Sequence, residues 1–274
     1  MSGFHKPKVK APAPELLQKT QEVLDKTGVD TICHASACPN IAECFHRGTA
    51  TFLILGPYCT RSCAFCNVPR GRGGFDPDEP MRVAQAVEGL GLSYVVVTSV
   101  DRDDLSDFGA GAFVATLRAV RERSGAKVEL LTPDFQAKTP YLKQIIKAAP
   151  DKLAHNLETT ERLYKRIKSA GSYAKSLKVL EYYARSGITT KSSLIVGLGE
   201  SMEELYKAIA DLKNVGVRQL TIGQYLRPSS ANIPVQKYYS PEEFDDLRSY
   251  ALAQGFEGVQ SGPLVRSSYY AERM

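Results

Sequence analysis

No apolar run in this chain of 274 residues approaches the roughly 18 residues of a membrane-spanning helix. The N-terminal segment, with Lys6, Lys8 and Lys10 among prolines, lacks the apolar core of a signal peptide. Beyond the Lys/Pro/Ala tail before Glu15 there is no low-complexity tract and no internal repeat. A dense basic stripe is also missing, since the formal net charge is only +5 with dispersed lysines and arginines, which argues against a nucleic-acid reader. That modest positive balance favours an acidic partner or substrate. The longest absence concerns cysteine: none occurs in the 208 residues after Cys66. Charged residues at 24% and hydrophobic residues at 43% are ordinary for a globular chain that builds its own core. These features describe an enzyme expected in a reducing, cytoplasmic compartment, with no membrane and no nucleic-acid partner.

All six cysteines fall between Cys33 and Cys66, as C-x4-C-x5-C (Cys33, Cys38, Cys44) and C-x3-C-x2-C (Cys59, Cys63, Cys66). A disulfide framework does not fit, because such scaffolds are short secreted chains that cannot bury enough core. Structural zinc prefers closed sets of four ligands, often as two close pairs. Cys63-Ala-Phe-Cys66 offers one such pair, but the first triad, even with His34 and His46 nearby, offers none. Inert core thiols would be scattered along the chain. Iron–sulfur clusters remain. A cubane of four irons needs four ligands, so each triad leaves one iron open to a partner that is not cysteine. Two triads imply two such clusters, and an electron carrier, whose clusters normally close with four cysteines, is disfavoured.

Apolar β-branched runs alternate with helical segments, the pattern of parallel βαβ units. Strands are expected at Thr51–Gly56, Tyr94–Val100, Lys127–Thr132, Lys152–Glu158, Thr189–Gly197 and Gln219–Leu226. Helices are expected near 80–90, 110–123, 139–149, 160–186, 201–214 and 241–254. Ser201-Met-Glu-Glu204 and Ser240-Pro-Glu-Glu243 are capping boxes, Pro140 suits a first helical turn, and Gly187 suits a C-cap. Six βα units form a partial (β/α)6 TIM-like barrel, with active groups at the C-terminal ends of the strands. The loop from Pro57 to Arg70 carries the second triad from such an end. Thr98, Ser99, Asp101, Asp134, Asn156 and Glu158 mark the same rim, and strand alternation puts Asn156 and Glu158 on the face opposite His155, which is expected to be packed under a helix. Gly197-Leu-Gly-Glu200 reads equally as a ligand-approaching turn or as a plain connection into the capped helix; it lacks a nucleotide fingerprint.

The spacing C-x3-C-x2-C, with Phe65 before the last cysteine, resembles the signature of radical S-adenosylmethionine (SAM) enzymes. Further segments narrow the likeness: Cys38-Pro-Asn-Ile-x-Glu-Cys44, Thr49-Ala-Thr-Phe-x-Ile-Leu-Gly56, Thr98-Ser-Val-Asp-Arg-Asp-Asp-Leu105, His155-Asn-Leu-Glu-Thr159, Val196-Gly-Leu-Gly-Glu200, Ile222-Gly-Gln-Tyr-Leu226 and Arg266-Ser-Ser-Tyr269. Together, from Thr31 to Tyr269, they resemble the lipoyl synthase family. A biotin synthase type would share the second triad and the barrel but leave the first triad and Arg-Ser-Ser-Tyr unexplained.

The resemblance implies two 4Fe-4S clusters and SAM as co-substrate. Cys59, Cys63 and Cys66 would hold the SAM-cleaving cluster; Cys33, Cys38 and Cys44 would hold an auxiliary cluster whose fourth ligand is Ser268, with neighbouring Ser267 as the alternative. It also implies SAM contacts at Thr98, Ser99, Asn156, Glu158 and Lys191. The activity implied is insertion of two sulfur atoms at C6 and C8 of an octanoyl group on a lipoyl carrier protein. Two SAM molecules are consumed and the auxiliary cluster is the sulfur donor. Implied partners are that octanoylated carrier, a reduced ferredoxin- or flavodoxin-type donor, and an iron–sulfur carrier for cluster rebuilding. The segmentation that follows is 1–48 with the auxiliary cysteines, 49–235 as barrel, and 236–274 with the C-terminal helix and tail, the two end segments covering the open mouth. Phe45, Gln136 and Tyr270 depart from the family pattern, where tryptophan, arginine and histidine are common, and none of them is a cluster ligand.

Overall fold

The protein is described by a computed structural model covering residues 14–274 apart from 36, 37, 39, 47, 48 and 75, with the side chains of 14–17, 19, 42, 45 and 46 also undescribed. The basic tail with Lys6, Lys8 and Lys10, and the side chains of Phe45 and His46, therefore lie outside the described residues. The chain forms two compact units. One holds the described residues of Val9–Arg61 and Val68–Lys152; the other holds Ser62–Asn67 and Leu153–Met274. Among the described residues no helix is long and apolar enough to cross a membrane.

The first unit runs α1 (Pro14–Thr27), β1 (Asp30–Thr31), α2 (Ile32–Ala35), α3 (Ile41–His46), β2 (Thr51–Ile54), α4 (Glu79–Gly89), β3 (Tyr94–Ser99), α5 (Ala110–Ser124), β4 (Lys127–Leu131) and α6 (Thr139–Lys147). β2, β3 and β4 are parallel neighbours, with Leu53 opposite Thr98 and Thr98 opposite Leu131, while β1 adds antiparallel to β2. The middle of β3, Val95-Val-Val-Thr98, is buried throughout, as a parallel strand covered on both faces requires. Pro80 lies in the first turn of α4 and Pro140 in that of α6, where the missing N–H costs nothing.

The second unit continues with β5 (Lys152–Ala154), α7 (Glu161–Ile167), α8 (Tyr173–Ala184), β6 (Thr190–Val196), α9 (Met202–Asn214), β7 (Gln219–Gln224), α10 (Pro241–Ala253) and β8 (Gly258–Gly262). Its strands are parallel and in chain order, with Ser193 opposite Thr221 and Thr221 opposite Gln260. Leu194, Val196, Leu220 and Ile222 face one way into a core with Leu205, Ile209, Leu212, Phe244 and Leu247. By alternation, Ser193, Thr221 and Gly223 face the other way. Both expected capping boxes are present: Ser201 and Ser240 accept from the backbone N–H of Glu204 and Glu243, whose carboxylates reach back to the cap residue.

Three expectations need correction. The fourth strand ends at Ala154, because Glu158 takes a left-handed φ of 75° that extended backbone cannot hold, so Asn156 and Glu158 lie beyond the strand. The helix expected over 160–186 is two helices; Ser172 caps the second by accepting from the N–H of Lys175. Gly187 is not the C-cap, which is Arg185, and it takes φ 81° two residues later. β1 and β8 were not foreseen.

Candidate functional site

In the first unit, β2 ends in a turn at Leu55 and Gly56, both left-handed at φ 71° and 84°. A non-glycine in that region costs of order 1–3 kcal/mol, so the surroundings must hold it. They do: the Glu79 carboxylate accepts the N–H of Leu55 at 2.7 Å, and the Arg102 guanidinium donates to the Leu55 carbonyl at 3.2 Å. Burial pushes the Glu79 carboxyl up, while the backbone N–H groups of Leu55 and Gly56 oppose that shift. The cysteine loop departs from this clasped turn. Cys59 bonds back across the loop, its N–H donating to Pro69 and its carbonyl accepting from Gly71.

Two residues on, Arg61 is buried among three carboxylates. It forms a fork with Asp134 at 3.0 and 2.8 Å and another with Asp103 at 2.6 and 2.8 Å, and it lies 3.1 Å from Asp101. Burial alone would lower the Arg61 pKa, but these carboxylates raise it further. Asp103 is held below the usual carboxylate range, chiefly by its bond to Arg61. Burial and the nearby Asp101 charge push the Cys59 thiol up. The loop between the first two cysteines of the second triad is thus tied to the ends of β3 and β4. Asp134 also accepts the N–H of Gln136 at 2.9 Å, holding Phe135, Gln136 and Ala137 in three successive left-handed conformations. Gln136 donates its side-chain amide to Asp103 at 2.8 Å, so it completes this cluster.

At the end of β3, Thr98 donates its hydroxyl to the Leu131 carbonyl at 3.0 Å, whereas the buried Ser99 Oγ has no hydrogen-bond partner. The first triad lies on α2, on α3 and between them. Its chain folds back through Cys38 N–H to the Cys33 carbonyl and Cys44 N–H to Asn40. The Cys33 thiol is pushed up to about 12, chiefly by burial, with Cys38 and Cys44 adding to the shift. Cysteine thiolates are the usual ligands of iron–sulfur clusters, so the chemistry of this donor set fits a cluster of irons.

In the second unit, the segment with Cys63 and Cys66 is fastened by backbone and packing. Cys66 N–H donates to the Cys63 carbonyl at 3.0 Å, and Asn232 donates to the Cys66 carbonyl at 2.9 Å. Phe65 packs against Leu163, Ile167, Leu198 and Tyr225. The Asn156 Oδ1 atom is buried without a partner. Glu158 is half-buried and its pKa is raised by desolvation, opposed by Lys168 and by a hydrogen bond from Asn156. Lys191, on β6, is wholly buried. The orphaned oxygen of Ser99 in the first unit and that of Asn156 in the second are each suited to a polar ligand, since burying such an atom unmet costs about 1–3 kcal/mol. His155 lies under α8, its Nε2 2.9 Å from Ser176 Oγ. Gly197-Leu-Gly-Glu200 is a closed connection: Glu200 accepts the N–H groups of Gly197 and Leu198 at 2.5 and 2.9 Å, leaving neither free for a ligand.

Ser267 and Ser268 lie in consecutive turns after β8, where Tyr269 N–H donates to the Arg266 carbonyl at 3.0 Å and Ala271 N–H to Ser268 at 3.3 Å. None of the six cysteines is joined in a disulfide, and among the described residues no three Cys, His, Asp or Glu are arranged as a ready metal site. The ligand sets accordingly rest on spacing and family. Sequence reasoning missed Arg61, Asp103 and Glu79 as organising residues. A basic residue between Cys59 and Cys63, with Asp-Arg-Asp-Asp after the next strand, was the available signal.

Residues 53–212 match the family model described as the Radical SAM superfamily. Solved structures agree on fold. The crystal structure of methylornithine synthase has a TM-score of 0.57 at 14% identity, covering 91% of this chain and 79% of that one. Streptococcus suis SuiB bound to S-adenosylmethionine gives 0.61 at 14%, covering 82% and 54%. The protein is a radical SAM protein with the α/β, partial-barrel fold class expected from its βα alternation. Its sequence relatives are more specific. Lipoyl synthase of Treponema denticola is 47% identical over 268 residues, covering 97% of this chain and 92% of the relative. That of Photorhabdus laumondii is 46% identical over 271 residues, covering 97% and 84%. The chain belongs to the lipoyl synthase family, radical SAM sulfurtransferases of lipoyl biosynthesis.

Proposed function

We propose that the protein inserts two sulfur atoms at C6 and C8 of an octanoyl group carried on a lysine of a lipoyl domain, the final step of protein lipoylation. The observation that carries this reading is identity of 46–47% to lipoyl synthases across 97% of the chain, a span long enough to include both cysteine triads. Unactivated C–H bonds call for a radical; Cys59, Cys63 and Cys66 would hold a 4Fe-4S cluster, which with SAM bound would supply that radical chemistry. Cys33, Cys38, Cys44 and Ser268 hold the auxiliary cluster as sulfur source, with one SAM spent per sulfur. Ser268 oxygen is a harder donor than thiolate and a poorer match for cluster iron, which suits a bond that must open.

The protein's own groups do the positioning. The Glu79 and Arg102 contacts fix the turn from which the cysteine loop leaves, and Arg61 fixes its middle. Phe65 and Asn232 fix the part that carries Cys63 and Cys66. Thr98, Ser99, Asn156, Glu158 and Lys191 are the residues proposed to receive SAM, supported most by the unmet oxygens of Ser99 and Asn156. Segments 1–48 and 236–274 are proposed as the extensions that complete the auxiliary site. Reduced ferredoxin or flavodoxin supplies electrons, an iron–sulfur carrier restores the cluster, and the setting is cytoplasmic; the net charge of +5 suits an acidic carrier domain.

The test is anaerobic reconstitution. The protein should bind about eight irons, two cubanes of four. Cys33→Ala should hold about half as many and still cleave SAM, yet make no lipoyl product. Normal sulfur insertion by that variant would refute the division of labour.

A further inference from the structure

We propose that Gly223 is a positioning residue for the serine ligand of the auxiliary cluster: it leaves the space on β7 in which the backbone preceding Arg266-Ser-Ser-Tyr269 is seated. This deepens the reading that Ser268 binds the auxiliary cluster and rests on it.

A glycine inside a parallel strand weakens it and marks either a special backbone conformation or the close approach of another backbone. Gly223 is not among the residues of positive φ, so conformation is not the reason. Space is. Its strand neighbours Leu220 and Ile222 point into the core, so position 223 points to the opposite face. A Cβ built there would lie 2.0 Å from the Val265 carbonyl oxygen and 3.0 Å from its carbon. Both are backbone atoms, which no rotamer change can remove. The matching glycine on β8, Gly262, pairs with Gly223 in register, yet its Cβ would meet only a Val265 methyl at 3.5 Å, an ordinary contact. Of this pair, only Gly223 is demanded by the tail.

Val265 is joined tightly to the serines. Its N–H donates to the Gly262 carbonyl at 3.1 Å, and its carbonyl accepts from Arg266 Nη1 at 2.7 Å. The turns through Tyr269 and Ala271 follow at once, and Ala271 is buried. A push at Val265 therefore reaches Ser268 through three residues of hydrogen-bonded turn. To reach the closest separation that real side chains show, the carbonyl must retreat by about 1 Å, a displacement that at a reacting centre costs on the order of a hundredfold in rate.

The experiment compares reconstituted wild type with Gly223→Ala, Gly262→Ala, Ser268→Ala and the Gly223→Ala/Ser268→Ala double variant. It reads iron content, the Mössbauer signature of each cluster, 5′-deoxyadenosine and lipoyl product. Gly223→Ala should form 5′-deoxyadenosine within about twofold of wild type while product falls on the order of a hundredfold and the auxiliary-cluster signature changes. Gly262→Ala should match wild type, and the double variant should be no worse than Ser268→Ala, as for two changes acting through one group. Full product from Gly223→Ala while Ser268→Ala is crippled overturns the role of Gly223 alone. An unaffected Ser268→Ala overturns the ligand reading, and this inference with it. Should Gly223→Ala fail to fold, hydrogen exchange on wild-type apoprotein decides. The seated tail predicts amides of Val265, Tyr269 and Ala271 slowed at least about tenfold over free peptide; exchange at the free-peptide rate overturns the proposal.

Discussion

Replacing Arg61 by alanine should destabilise the first unit by about 3–5 kcal/mol, the cost of stranding a buried carboxylate by removing its partner. The size follows from the exposure of each carboxylate. Asp134 is 1% exposed and loses its guanidinium fork, while it goes on accepting the N–H of Gln136. Asp103 is 31% exposed and can hydrate, so its share stays below about 1 kcal/mol. Arg61→Lys keeps the charge but not the planar fork, and should cost about 1–3 kcal/mol. Urea unfolding of apoprotein at neutral pH measures both through the midpoint at unchanged slope. The pH dependence has a fixed sign. Asp103 is held below its unfolded value of about 3.9, so its contribution is complete above that pH and lost as pH falls through the lower folded value. The gap between wild type and Arg61→Ala should therefore narrow on acidification below about pH 4. A loss under about 1 kcal/mol, or a gap that widens in acid, would refute the reasoning.

Gly197→Ala should cost about 2–4 kcal/mol in urea titration, because φ is 101° and the new methyl would meet Gln224 Nε2 at 2.3 Å and the Lys237 carbonyl at 2.6 Å. Ser176→Ala leaves both His155 Nε2 and the Tyr164 hydroxyl short of a buried partner, now at 2.9 and 2.7 Å; thermal unfolding should show a loss of about 1–3 kcal/mol with wild-type iron binding. Phe65→Ala removes the ring that seats the segment carrying Cys63 and Cys66, so reconstituted iron and SAM cleavage should fall together while the first triad keeps its iron, read by Mössbauer spectroscopy.

Much of the fold was legible because burial writes itself into composition. β3 and β6 are unbroken runs buried through their middles, and the boxes at Ser201 and Ser240 announce two helix starts within one residue. What failed was governed by contacts far away in sequence or by single dihedral angles. Nothing local in His155-Asn-Leu-Glu158 reveals that Glu158 turns left-handed and ends the strand early. β8 is Gly-Val-Gln-Ser-Gly, a composition with little strand propensity that pairs because β7 lies beside it. The site divides the same way. Cysteine spacing marked the triads directly, while the Arg61 cluster joins residues 42 and 73 positions apart, which periodicity cannot register. Gly223 was visible only as one letter of a motif; its reason is a carbonyl from the far end of the chain.

The most direct test of the central claim is mass spectrometry of an octanoylated lipoyl domain after incubation with the reconstituted, reduced protein and SAM. The account predicts a carrier heavier by two sulfur atoms as the dithiol, or by two sulfurs less two hydrogens once oxidised to the cyclic disulfide, with two 5′-deoxyadenosines formed per lipoyl group, about one per sulfur. A carrier whose mass is unchanged while SAM is cleaved would contradict it.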